Sequence, residues 1–298
     1  MHSTQILSLL AAVGFSTAVD ALAIRQTTAA WETLPATPEL PTPISTTLSS
    51  LNGADLWLQK YNEAAGGTPI VFDHGGLGYS AYFGDVIKQL VANNHYVVAL
   101  DRRGHGRSTY GANDVFTFDM FANDIFAQLN EQGIKSYNVV GWSDGAATTL
   151  AMLQNTTIAE GIQKAFVFAG FMVPEDTNAT FTDTAIYTEF VSRCATEYAT
   201  NQPDANFTDF ATKVGTLEAT LPQFTTAGLG TIDGAKVAIV SADHDEAVNL
   251  DVPAKLAAAI PGSTSVVLTD VSHFAPVQDP DQFTKAVESF FADSAAAA

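Results

Sequence analysis

The chain has 298 residues, 47% of them hydrophobic, with 32 acidic against 13 basic side chains and a formal net charge of −19. Its size and apolarity are enough to bury a sizeable core, as one large domain or two small ones, while the negative surface repels nucleic acid and anionic membranes and so removes polyanionic partners. The single cysteine, Cys194, removes any internal disulfide framework, and with no basic neighbour in sequence its thiol is expected to be buried and inert.

At the N-terminus, Ile6 to Val19 forms an apolar segment too short to cross a bilayer, followed by Ala21-Leu22-Ala23, the small-x-small pattern of a signal-peptidase site. Residues 1–23 therefore read as a cleaved signal and the protein as secreted, with a buried helix as the alternative, since MHSTQ carries no Lys or Arg. Three sequons, at Asn155, Asn178 and Asn206, would then be open to glycosylation in a eukaryotic secretory route. No later segment has the roughly 18 uninterrupted apolar residues of a membrane span, so stable membrane association is not expected. Residues 24–43 carry Pro35, Pro38, Pro41 and Pro43, spaced so that neither helix nor sheet propagates, and read as an extended linker.

Folding is expected to begin at residue 44. ISTTLSSL and ADLWLQKYN flank Asn52-Gly53, a pair that supplies positive φ at both positions of a tight turn, which predicts an antiparallel hairpin. From Pro69 onward, PIVFD, HYVVALD, YNVVG, KAFVFAG, KVAIVS and TSVVLTD are runs of strand length. Several are apolar on successive positions, as strands covered on both faces are. Helix-length amphipathic segments separate them; in one, Phe118, Phe121, Ile125 and Leu129 recur at helical spacing. Alternation of this kind predicts an α/β fold with a mostly parallel sheet and helices on both faces. Residues 172–233 interrupt it. They are rich in Thr, Ala, Asn and Asp, hold helix-like pieces without a clear strand, and are too long for a structureless loop. An inserted helical cap is expected there, between core segments 44–171 and 234–293.

Chemistry enters at GWSDG. Ser143 falls between the strand-like NVV and a helix-like run, where a sharp turn lifts its hydroxyl off the sheet and Gly141 and Gly145 avoid collisions. A serine hydroxyl needs a base, and the base needs an orienting acid. His273 follows the last strand-like run and is the expected base, whereas His95 leads a strand and His105 lies in a polar loop. For the acid, SADHDEAV offers Asp245 first and Asp243 next, with Glu175 and Asp176 as a rival position. HGGLG, after PIVFD, is expected to supply the amide of Gly76 to a substrate oxygen, with the amide of Asp144 as second donor. Gly75 and Trp142, beside these, are expected to contact substrate. The Asp144 carboxylate has two readings: it caps the helix, or it attracts the ammonium of an amino-acid ester. There is no metal-ligand cluster or dinucleotide fingerprint, so no cofactor is expected.

HGGLG, DRRGHGRS, GWSDGA, SADHDEAV and VSHFAPVQDP, taken together, resemble the successive motifs of the α/β-hydrolase fold over residues 44–293, and most resemble small capped members such as the biphenyl-hydrolase-like and lactonase-type esterases. The resemblance implies a triad of Ser143, Asp245 and His273, an oxyanion hole at Gly76 and Asp144, and a small-molecule ester or lactone as substrate. Relatives that open epoxides or remove halide use an aspartate nucleophile, so serine favours acyl transfer. A proline-type aminopeptidase and a non-catalytic binding protein on the same scaffold are the alternatives.

Overall fold

The computed structural model describes residues 29–202 and 204–292; the signal read in residues 1–23 lies outside them. Eight strands form one sheet: β1 (Ser45–Leu51), β2 (Ala54–Tyr61), β3 (Ile70–Asp73), β4 (Val97–Leu100), β5 (Tyr137–Trp142), β6 (Ile162–Phe168), β7 (Val237–Ala242) and β8 (Thr264–Leu268). Their spatial order is β1-β2-β4-β3-β5-β6-β7-β8, antiparallel at β1/β2 and β2/β4 and parallel elsewhere. Asn52 and Gly53 turn the β1/β2 hairpin with φ of 52° and 83°, as the Asn-Gly pair requires.

The α-helices are α1 (Gly84–Ala92), α2 (Phe118–Glu131), α3 (Asp144–Gln154), α4 (Thr156–Ala159), α5 (Ala185–Asn201), α6 (Phe207–Thr220), α7 (Thr226–Leu229), α8 (Val252–Ala259), α9 (Ala275–Gln278) and α10 (Pro280–Ala292). Continuous apolar runs make β3, β4 and β5 buried at every position, because helices cover both faces of the sheet centre. β8 differs. It is an edge strand, its burial falls away from the sheet's interior, and Val267 is 59% exposed. Phe118, Phe121, Ile125 and Leu129 of α2 are all buried, as their spacing predicts.

Between β6 and β7 the chain leaves the sheet and forms α5, α6 and the short α7. Residues 29–43 hold one 3₁₀ turn, Ala30–Glu32, and are otherwise irregular, yet they are laid against the body of the protein. Arg193 of α5 donates to the carbonyls of Leu34 and Pro35, Gln278 donates to that of Thr33, and the Trp31 ring stacks on His244 at 3.9 Å. His105, expected in a polar loop, is instead fully buried against Phe116, Phe121 and Phe210. Cys194 is a buried free thiol packed beside the Tyr82 hydroxyl.

Candidate active site

Ser143 sits between β5 and α3 with φ 56° and ψ −116°, a conformation that costs a non-glycine residue about 1–3 kcal/mol. The surroundings hold it there: its amide donates to Phe168 O and its carbonyl accepts from Ala147, both at 3.0 Å. A β-carbon on Gly141 would be driven into Gly145 O and Thr149 Oγ1, and one on Gly145 into the carbonyls of Asp73 and His74. The two glycines thus let α3 start directly against the end of β3, with the serine on the outside of the turn.

His273 lies between β8 and α9. Its Nδ1 is 3.1 Å from Asp245 Oδ1 and 3.2 Å from Oδ2, so Nδ1 carries the proton that the carboxylate accepts and Nε2 is left as a base. Asp245 is fixed in turn: its Oδ1 accepts from the amides of Ala247 and Val248 at 2.9 and 2.8 Å. Burial alone would lower the imidazole's pKa; the charge and hydrogen bond of Asp245, with Glu246 and Asp144 behind them, leave it raised above its ordinary value. Asp243 instead accepts from the amide of Asp270, and Asp176 accepts from Met172 and Val173 and pairs with Lys255. Neither bonds to His273.

Ser143 and His273 line one cavity of about 150 Å³, together with Gly75, Gly76, Trp142 and Asp144. All of the residues expected at the site thus meet here, Asp245 through its bond to His273. The indole of Trp142 is 1% exposed and packs on Phe83, Phe274 and His273, so most of its ring belongs to the core beneath the cavity.

Residues 68–193 match the family described as alpha/beta hydrolase fold. A meta-cleavage product hydrolase from Pseudomonas fluorescens superposes with a TM-score of 0.70 at 16% identity over 85% of this chain and 98% of that one. The enol-lactonase from Burkholderia xenovorans gives 0.65 at 22% identity over 82% and 99%.

The chain has the α/β-hydrolase fold. Sequence likeness is more local: 28% identity over 123 residues to an sn-1-specific diacylglycerol lipase of Xenopus tropicalis, covering 41% of this chain and 38% of that protein. A non-heme chloroperoxidase of Kitasatospora aureofaciens is 33% identical over 103 residues, 35% of each. The chain therefore spans little more than a third of the length of these curated relatives.

Several groups on this α/β-hydrolase scaffold escaped the sequence reading. Glu246, next to Asp245 in the same loop, accepts from the Ser272 hydroxyl at 3.1 Å and the His273 amide at 3.0 Å, fixing the histidine's backbone; burial raises its pKa. Phe181, Tyr187 and Phe190, from the segment between β6 and β7, close the cavity from above. Glu218 of α6 also reaches it: a β-carbon on Gly76 would lie 2.5 Å from Glu218 Oε1 and 2.9 Å from Asp144 Oδ2. Asp144 is 1% exposed and its Oδ2 has no hydrogen-bond partner among the described residues. Burial raises the pKa of both carboxyls, and each carboxylate would repel the other. An approach made across 74 residues of chain, as between Asp144 and Glu218, leaves no periodic trace in sequence.

Proposed function

We propose that the protein is a secreted serine hydrolase that cleaves carboxylic esters or lactones through an acyl-enzyme on Ser143. The observation that carries this reading is the His273–Asp245 hydrogen bond at the wall of the cavity that Ser143 also lines. Ser143 Oγ attacks the substrate carbonyl while His273 Nε2 takes its proton, and Asp245 keeps the imidazole in the right tautomer and steadies the imidazolium. The amides of Gly76 and Asp144 receive the oxyanion, the second at the N-terminus of α3, where the helix dipole also favours negative charge. His273 returns the proton to the departing alkoxide; water, activated by the same base, then releases the acid.

A mostly apolar cavity closed by phenylalanines suits a small, uncharged or partly apolar acyl group, and lactonase and hydrolase relatives support the ester or lactone class. Residues 172–233 act as the cap. Secretion belongs to the same reading, and of the three sequons Asn155 and Asn206 are exposed while Asn178 is half-buried.

A second reading, that the substrate carries an ammonium group, is favoured by one observation. Asp144 Oδ2 is buried without a hydrogen-bond donor among the described residues, and Glu218 lines the same cavity beside Gly76, which gives the cavity an acidic end. A panel of neutral esters, lactones and amino-acid esters tests both. Wild-type protein should hydrolyse members of the panel, and Ser143→Ala should lose about 10⁴-fold or more in kcat. Asp144→Asn should lose more on amino esters than on neutral ones; equal losses would refute the amine site alone. Cleavage of a proline anilide with no ester turnover would move the assignment to a peptidase, and no turnover at all to a binding protein.

A further inference from the structure

Beneath HGGLG lies a layer of buried polar groups that the proposed reaction does not use. Arg102, just after β4, has a fully buried side chain. Its Nη1 meets Asp73 Oδ1 at 2.5 Å and also donates to the carbonyl of His74, and its Nη2 donates to the carbonyl of Gly75 at 3.0 Å. The backbone amide of Arg102 donates to His74 Nε2 at 3.1 Å, which puts the His74 proton on Nδ1. That Nδ1–H then donates to Gly75 O at 2.8 Å. Burial, with the guanidinium nearby, holds the pKa of His74 well below the ordinary histidine value, so this tautomer persists over the working pH range.

The carbonyl of Gly75 and the amide of Gly76 are the two ends of one peptide group. In a trans peptide they point in opposite directions. Two donors, one of them cationic, pin the oxygen end from below; the N–H end is thereby turned away from Arg102, towards the cavity that Gly75 and Gly76 line. No group among the described residues accepts a hydrogen bond from the Gly76 amide. Donors on the oxygen of an amide also polarise it, which strengthens its N–H as a donor.

The geometry points to Arg102 as a positioning residue: by gripping the Gly75 carbonyl from behind, it aims and polarises the Gly76 amide that receives the oxyanion. This inference rests on the hydrolase reading and deepens it. It also gives the DRRGHGRS stretch a function separate from the reacting atoms.

The test uses p-nitrophenyl acetate as substrate and phenylboronic acid as a tetrahedral mimic, on wild type, Arg102→Lys, Arg102→Gln and Arg102→Met, each normalised to its folded fraction by near-ultraviolet circular dichroism. Loss of one oxyanion donor typically costs about 10²–10³ in kcat. A misaimed but present donor should cost less, roughly 10- to 100-fold in the Met variant, with KM within about twofold and phenylboronate affinity falling by the same factor as kcat. Lys, which restores charge and one donor, should recover part of both. A merely structural arginine would lower the folded fraction and leave kcat per folded molecule and boronate affinity unchanged; that result in the variants that fold, or a rise in KM alone, overturns the proposal. If wild type neither turns over the ester nor binds the boronate, the hydrolase reading fails instead, before Arg102 is reached.

Discussion

Asp243 and Asp245 stand two residues apart on one loop, and their hydrogen bonds separate them. Asp245 accepts two backbone amides with Oδ1 and still faces His273 Nδ1, whereas Asp243 is engaged with the amide of Asp270. Asp245→Asn should therefore lower kcat by about 10⁴-fold, because an amide next to Nδ1 favours the wrong tautomer. Asp243→Asn should stay within a few-fold of wild type. Steady-state kinetics of the two variants on one ester check this, and an equal loss in both would show that the loop as a whole, rather than one carboxylate, orients the base.

At the scale of elements, the junction of β5, α3 and β3 carries the greatest constraint. Gly145 packs α3 onto the end of β3 so closely that a methyl group would be driven into the Asp73 carbonyl oxygen. Backbone cannot yield as a flexible side chain does, so Gly145→Ala should destabilise the protein by about 3 kcal/mol or more, lowering the thermal midpoint by roughly 6–10 °C. A midpoint within about 2 °C of wild type would mean that helix and strand separate more easily than this packing allows. The same junction explains what could be read in advance. Glycines flanking a serine after an apolar run announce a sharp strand-to-helix turn, and runs such as IVF and VVAL announce strands covered on both faces. The groups that hold the site from behind could not be read in the same way. Arg102 grips Gly75 across 27 residues, Glu246 grips His273 across 27, and Glu218 approaches Asp144 from a separate layer. Such contacts depend on where layers meet, and neither charge nor spacing along the chain encodes that.

Across the whole molecule, charge couples stability to pH in a definite direction. Burial pushes the Asp73 carboxyl up to about 7 and raises those of Asp144, Glu218 and Glu246, while Asp245 helps to hold the His273 imidazole above its ordinary value. Each of these groups binds its proton more tightly when the chain is folded, so its stabilising contribution is present at low pH and is lost as pH rises through the folded value. His74 and His105 act the other way: burial holds them neutral, and their contribution is lost only as pH falls below about 6.5. The thermal midpoint should therefore drop by about 3–6 °C between pH 6.5 and 8.5, with repulsion among the net −19 charges acting in the same direction. Thermal scans across that range test the sign; a midpoint rising towards pH 8.5 would contradict it.

The claim on which the account depends is that Ser143 is made nucleophilic by His273. Labelling folded protein with a fluorophosphonate and locating the adduct by peptide mass spectrometry reads this directly. The account predicts a single adduct, on Ser143, forming about 10³-fold or more slowly in His273→Ala, in line with the loss of a catalytic base. An adduct on another residue, no adduct on the wild type, or equal rates in the two proteins would contradict it.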